Sequence, residues 1–272
     1  MKKETIIDGL VALIRKAETE LPKDVISALK NAYEIEEGVA KKSNRPMCQD
    51  TGIQTFFVKV GVNYPHINQL KDLINKAVKK ATIDIPIRPN TVDPFTGRNQ
   101  GDNTGDFIPY ITWDFIEGTD VYITAFPKGG GSENMSKLGM LKPGVGIEGV
   151  KDFVVDEMIK AGGKPCPPTV VGIGIGGGAD LALKLGKIAL LRPVGVRHKD
   201  KNISAIEIEL INRINKSGIG PMGLGGKTTV LDVHIEKAHR HPASLPVGIA
   251  VQCWADRRAN MVIYADGSWE VK

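Results

Sequence analysis

Apolar positions recur at helical spacing from the start of the chain. Ile6, Ile7, Leu10, Leu13 and Ile14 follow the three-to-four-residue period that predicts a helix, and Pro22 interrupts it. A second helix is expected from Lys23-Asp24, with Val25, Leu29 and Tyr33 on one face, so 5–37 reads as a helix pair. The pattern then changes. Residues 53–62, rich in Val, Phe, Thr and Ile, predict a strand, and 67–81 returns to a helical period. A proline-bearing loop, Ile85-Pro86-Ile87-Arg88-Pro89-Asn90, runs on to Gly105. Further strands are expected over 110–115, 120–126, 169–175, 230–237, 248–253 and 261–264, and further helices over 147–161, 179–191 and 203–216. With no 20–50-residue repeat and no low-complexity linker, the expectation for 1–272 is one interwoven mixed α/β (α+β) domain with glycine-rich loops.

Charge narrows the classes of partner. Lys and Arg number 36 against 31 Asp and Glu, a net +5 over 272 residues. The densest basic runs are Lys79-Lys80 and Arg197-His198-Lys199-Asp200-Lys201, the second broken by Asp200. A nucleic-acid reader gathers its positive charge on one stripe, so these read as solvated surface and no nucleic-acid partner is expected. Asp8, Gly9 and Arg15 break up the apolar start, which excludes a signal-peptide core. No apolar run approaches the ~18 residues of a membrane span. The chain therefore reads as cytoplasmic, a compartment where thiols stay reduced.

The cysteines are three, Cys48, Cys166 and Cys253, with no CxxC pair among them. That gives no support to a zinc ribbon or a thioredoxin-type site, and the odd number in a reduced compartment argues against a disulfide framework. Scattered cysteines usually pack as small hydrophobes in a core. The neighbours here are unlike core neighbours: Cys48 lies in Arg45-Pro46-Met47-Cys48-Gln49-Asp50-Thr51-Gly52, and Cys166 in Lys164-Pro165-Cys166-Pro167-Pro168. Three thiolates would also suit a [4Fe–4S] cluster with one iron left open, since electron-transfer clusters take four. An open iron is a Lewis acid for hydroxyl and carboxylate oxygens. Spacing alone does not decide between these readings.

Longer motifs add to this. Cys48-Gln49-Asp50-Thr51-Gly52, Gly129-Gly130-Gly131-Ser132-Glu133-Asn134, Cys166-Pro167-Pro168, Gly174-Ile175-Gly176-Gly177-Gly178-Ala179-Asp180 and His241-Pro242-Ala243-Ser244-Leu245-Pro246-Val247 stand in this order. Together they resemble the N-terminal catalytic region of class I, iron–sulfur fumarases and the related tartrate dehydratases. The likeness runs from about residue 10 to the C-terminus. It implies a [4Fe–4S] cluster on Cys48, Cys166 and Cys253 and a hydro-lyase reaction on a 2-hydroxy dicarboxylate. The leading expectation is hydration of fumarate to L-malate, a step of the tricarboxylic acid cycle, with L-tartrate dehydration to oxaloacetate as the rival. Single-chain members carry a further C-terminal domain after the third cysteine. The chain therefore resembles an α subunit whose separate β subunit completes the active site in an α2β2 or other hetero-oligomer.

In that setting Asp50, two residues after Cys48, is the candidate acid/base, and His241 its tuning or relay partner. On residues alone, Asp50 reads better as an Asx-turn with Thr51-Gly52, and His241 as a surface loop histidine. Gln49 is expected to orient substrate or cluster. Arg88, preferred over Arg98, is the candidate carboxylate clamp, with a surface salt bridge as its plain alternative. Gly130 and Gly131 would let backbone N–H groups approach a carboxylate. The run from Gly172 to Gly177 spells GxGxxG, but no acidic strand end follows about 20 residues later, and Asp180 puts negative charge where a pyrophosphate would sit. It reads as tight packing beside the cluster. Two rivals from other classes are a non-catalytic iron–sulfur sensor, which has no need of Asp50, His241 and Arg88, and a nucleotide-dependent oxidoreductase built on 172–178.

Overall fold

Helix α1 (Lys3–Thr19) forms where the apolar period predicts it, and Ile6, Leu10, Leu13, Ile14 and Ala17 are fully buried. The computed structural model describes residues 3–30, 46–85 and 87–272. Helix α2 (Lys23–Lys30) follows across Pro22; Tyr33 and the rest of the expected second helix lie outside the described residues, as does Arg45. The later elements are β1 (Thr55–Gly61), α3 (Leu70–Asp84), β2 (Tyr110–Ile116), β3 (Val121–Ala125), α4 (Gly130–Glu133) and β4 (Lys137–Leu141). They continue with α5 (Gly146–Ala161), β5 (Thr169–Gly177), α6 (Ala179–Ala189), α7 (Lys201–Asn215), β6 (Val230–Arg240), β7 (Leu245–Gln252), β8 (Ala259–Ile263) and β9 (Trp269–Val271). The mixed α/β class is as expected. The described residues divide into two compact units, one drawing on 3–22, 46–129 and 257–272, the other on 23–30 and 130–256.

In the first unit the sheet order is β2-β1-β3-β8-β9, with β1 and β2 parallel and the other pairings antiparallel. Alternate residues Phe56, Val58 and Val60 of β1 point into a core shared with α1 and α3. Leu70, Leu73, Ile74, Ala77, Val78 and Ala81 form the matching stripe of α3. The sheet thereby fixes the segment entering β1, which carries Cys48 to Gln54.

In the second unit the order is β4-β7-β5-β6, with only β5 and β6 parallel. Here the glycine run has a packing explanation. A Cβ added at Gly172 would come 2.0 Å from the Gly186 carbonyl oxygen, and one at Gly174 would come 2.0 Å from that of Ala182. One at Gly248 of β7 would come 2.4 Å from the same Ala182 oxygen. Helix α6 lies backbone on backbone over β5 and β7, so these glycines serve close helix–sheet approach, the packing reading of 172–178. Strand β6 is held from outside by Glu207 of α7, a fully buried carboxylate. It accepts from Arg192 (2.6 Å), from the Ile235 N–H (2.9 Å) and from the His198 N–H (3.0 Å).

The pattern missed two strands. In β4 the sequence Lys-Leu-Gly-Met-Leu has Gly139 at its centre, where Phe153 takes the space a side chain would fill. Strand β9 is three residues at a sheet edge, too short to show a period. Gly130–Glu133 is a helical turn where an open loop was expected.

Gly174→Ala tests the close approach. It should destabilise the chain by about 3 kcal/mol or more, the upper range of overpacking costs, because backbone rather than a flexible side chain blocks the methyl. Urea denaturation reads this, and an unchanged midpoint would show that α6 is free to lift off the sheet.

Candidate active site

One buried carboxylate organises the first cysteine loop. Glu18, at the end of α1, is 0% exposed, and Arg257, just before β8, is 1% exposed. Arg257 Nη1 donates to Glu18 Oε2 at 2.8 Å, and Gln54 Nε2 donates to Glu18 Oε1 at 2.7 Å. The other end of the fork, Arg257 Nη2, donates to the Asp50 carbonyl at 2.9 Å. The Glu18 carbonyl accepts from the Met47 N–H at 3.1 Å. Cys48 and Gln49 thus lie between two anchored backbone positions, with Cys48 half-buried and Gln49 exposed. Burial pushes the Glu18 carboxyl up to about 7, against the lowering effects of Arg257 and Gln54, and the charge of Asp50 adds to the rise.

Asp50 makes the expected turn: its Oδ1 accepts from the Gly52 N–H at 2.9 Å. Its Oδ2 faces Gly129, where an added Cβ would come within 3.1 Å. Gly52, at φ +71, faces the Lys128 carbonyl group so closely that an added Cβ would come within 2.5 Å. Only glycine meets both demands. The turn and the candidate acid/base thus coincide on one side chain.

Arg88 is tied to this loop through its backbone. Its carbonyl accepts from Thr51 Oγ1 (3.1 Å) and from Asn103 Nδ2 (3.2 Å), while its side chain is exposed. Asn90 Nδ2 donates to Thr51 Oγ1 (3.2 Å) and to the Gly52 carbonyl (3.1 Å), and Asn103 Oδ1 accepts from the Asn90 N–H at 2.8 Å. Asn103 is buried at φ +58, which asparagine tolerates better than most residues. Arg98 lies on the exposed 92–99 excursion, closed by the Val92–Asn99 bridge. The structure thus ties Asp50, Thr51 and the Arg88 backbone into one hydrogen-bonded framework, with Gln49 exposed beside Asp50 in the chain.

The second unit carries the remaining candidates. Cys166 is exposed at φ +55, uncommon for a residue with a side chain, and Cys253 is half-buried. The Trp254 N–H donates to the Cys166 carbonyl at 3.1 Å, so two of the three thiols sit on hydrogen-bonded neighbouring segments. All three cysteines are free thiols. His241 begins the turn between β6 and β7, where its Nδ1 accepts from the Ala243 N–H at 3.1 Å. A neutral ring so bonded carries its proton on Nε2. Gly130 and Gly131 are exposed on α4. Among the described residues, no three His, Cys, Asp or Glu side chains gather to hold a metal ion, and no helix is long and apolar enough to cross a membrane.

Comparison of the chain with known proteins finds a family. The family model for fumarate hydratase (Fumerase) matches residues 7–262, nearly the whole chain. The chain belongs to the fumarate hydratase (Fumerase) family. With the family comes its class, the hydro-lyases. A protein of Methanocaldococcus jannaschii named "Putative L(+)-tartrate dehydratase subunit alpha" is 52% identical over 93% of this chain and 96% of its own. The L(+)-tartrate dehydratase subunit alpha proteins of Escherichia coli O157:H7 and of Escherichia coli strain K12 are each 37% identical, over 97% of this chain and 92% of theirs.

Sequence reasoning missed Glu18, Gln54, Asn90, Asn103 and Arg257. The only local signal was a Glu closing an otherwise apolar helix face, and it becomes legible only with its partner 239 residues away. Glu18 also sets a pH dependence. Its folded value, about 7, lies above the ordinary 4.5, so the folded chain keeps a proton that the unfolded chain releases in that window. The Glu18 contribution is therefore fully present below about 4.5 and lost as pH rises to about 7. In urea titrations across that window, the parent should lose about 3 kcal/mol more than Glu18→Gln. Parallel slopes for the two proteins would contradict the assignment.

Proposed function

We propose that this hydro-lyase is the α subunit of a two-subunit enzyme interconverting fumarate and L-malate, with a [4Fe–4S] cluster held by Cys48, Cys166 and Cys253. The observation that carries the reading is the Arg88 carbonyl bonded to Thr51. It ties the backbone of Arg88, the proposed carboxylate clamp, to the loop that bears Cys48, Gln49 and Asp50. The chemistry of the donors suits such a cluster, three cysteines with none tied in a disulfide, while the described residues do not gather three of them into one metal-holding group. Bound there, such a cluster supplies an iron position that no thiolate fills, a Lewis acid for the substrate hydroxyl.

The chain's own residues do the rest. The Arg88 guanidinium takes one substrate carboxylate in a bidentate pair, and the exposed Gln49 amide orients the substrate beside it. Asp50 is the group that moves the proton, held in place by the bond its Oδ1 accepts from the Gly52 N–H. His241 acts as a hydrogen-bond donor through Nε2–H while neutral, its Nδ1 being held by the Ala243 N–H. That assigns it the tuning role, since a neutral ring with this tautomer has no base to offer at Nε2. Exposed backbone at Gly130 and Gly131 admits a carboxylate without a side chain in the way. The β subunit closes the site, in keeping with relatives named as alpha subunits. L-tartrate is the second reading, favoured by those relatives' names. The cytoplasm is the compartment in which exposed thiols such as Cys166 stay reduced.

The test uses the chain co-expressed with its β-type partner and reconstituted without oxygen. Fumarate formation from L-malate is followed by absorbance, with L-tartrate in parallel, alongside iron and sulfide content. Asp50→Asn should lower kcat by roughly 10²–10⁴-fold with iron content unchanged. Replacement of Cys48, Cys166 or Cys253 by Ser should lower iron and sulfide together. Turnover of tartrate alone would move the substrate to the second reading, and cluster content indifferent to all three replacements would end the cluster assignment.

A further inference from the structure

The Glu18–Arg257 pair spends both ends of its guanidinium on defined partners. Nη1 meets the Glu18 carboxyl, which Gln54 also holds, and Nη2 meets the Asp50 carbonyl, which belongs to the loop rather than to the core. A pair that served stability alone has no need of the second contact. Replacing a buried charged pair by apolar groups of similar volume is often neutral or stabilising, so such a pair is weak evidence for a stability role. The Glu18 main chain, through its bond to the Met47 N–H, anchors the same loop two residues ahead of Gln49.

We propose that Glu18 and Arg257 are positioning residues, which set where the Cys48–Gly52 loop presents Cys48, Gln49 and Asp50. The proposal deepens the hydro-lyase reading and rests on it for the roles of those three residues. The planar fork is what the task requires. Lysine keeps the charge but, as a point donor, does not reproduce two contacts at fixed separation and direction. Elevation of the Glu18 carboxyl by burial agrees with a group kept inside for its geometry at a cost in solvation.

The test separates positioning from folding. In a triple variant, Glu18→Leu, Gln54→Leu and Arg257→Met, the three polar side chains become apolar together and the Asp50 carbonyl loses its Arg257 contact. Thermal unfolding should stay within a few degrees of the parent, while amide exchange over residues 47–52 rises at least tenfold. With the β-type partner, kcat should fall tenfold or more. Arg257→Lys, which keeps the charge, should raise exchange over 47–52 and lower kcat in the same direction. Parent-like exchange over 47–52 in the folded triple variant would overturn the proposal, and so would faster exchange with kcat unchanged. The exchange measurement needs no turnover. A parent inactive on both malate and tartrate would therefore sink the hydro-lyase reading, while exchange still decides the loop's anchoring.

Discussion

The first cysteine loop depends on one buried contact set, in which the Arg257 guanidinium bridges the Glu18 carboxyl and the Asp50 carbonyl. Its partners come from three distant parts of the chain: the end of α1, the approach to β1 and the segment before β8. Each of those parts is fixed by apolar burial, α1 and α3 against the five-stranded sheet. The hydrophobic core thus sets the frame, and the polar contacts convert that frame into a defined loop position. Gly52 is the other half of the constraint. Its left-handed backbone lets the loop turn against Lys128 at a distance no side chain permits.

The second unit solves a different problem by a similar economy of atoms. Glycines at 172, 174 and 248 let α6 rest directly on β5 and β7. The same spacing in a dinucleotide fold brings backbone to a pyrophosphate, so the string GxGxxG is shared by two purposes. Here the backbone of α6 already occupies the space that the missing side chains leave. The motif serves packing, and the strand that it frees from side chains runs beside β7, which leads into Cys253.

Legibility followed the range of the interaction. Helices α1, α3, α5 and α7 and strands β1, β5 and β6 carry local periods and were readable to within a few residues. The Cys48–Gly52 and Cys166–Pro168 segments stood out because polar, turn-forming and proline neighbours are unlike a core. Glu18, Arg257, Asn90 and Asn103 were not readable, because a buried polar group is recognised by its partner and not by its neighbours in sequence. Asp50 shows a third case. The structure makes the turn through Oδ1, and the turn reading and the catalytic expectation fall on one side chain whose Oδ2 lies by Gly129.

The choice between malate and tartrate turns on a single polar group. Tartrate adds one hydroxyl, and a site that pairs it leaves its own donor or acceptor unsatisfied when malate binds. Such sites reject the analogue lacking the group by roughly 10⁴–10⁵-fold, whereas a site that does not pair it discriminates only about 10²-fold. The two architectures therefore differ by orders of magnitude in the ratio of kcat/KM values. Gln49 is an exposed polar neighbour of Asp50 in the chain, and the proposal gives Arg88 to a carboxylate that both substrates possess. On that proposal the amide of Gln49 is a candidate to read a second hydroxyl. A ratio near the lower figure means that no group of the site, Gln49 or any other, pairs the second hydroxyl.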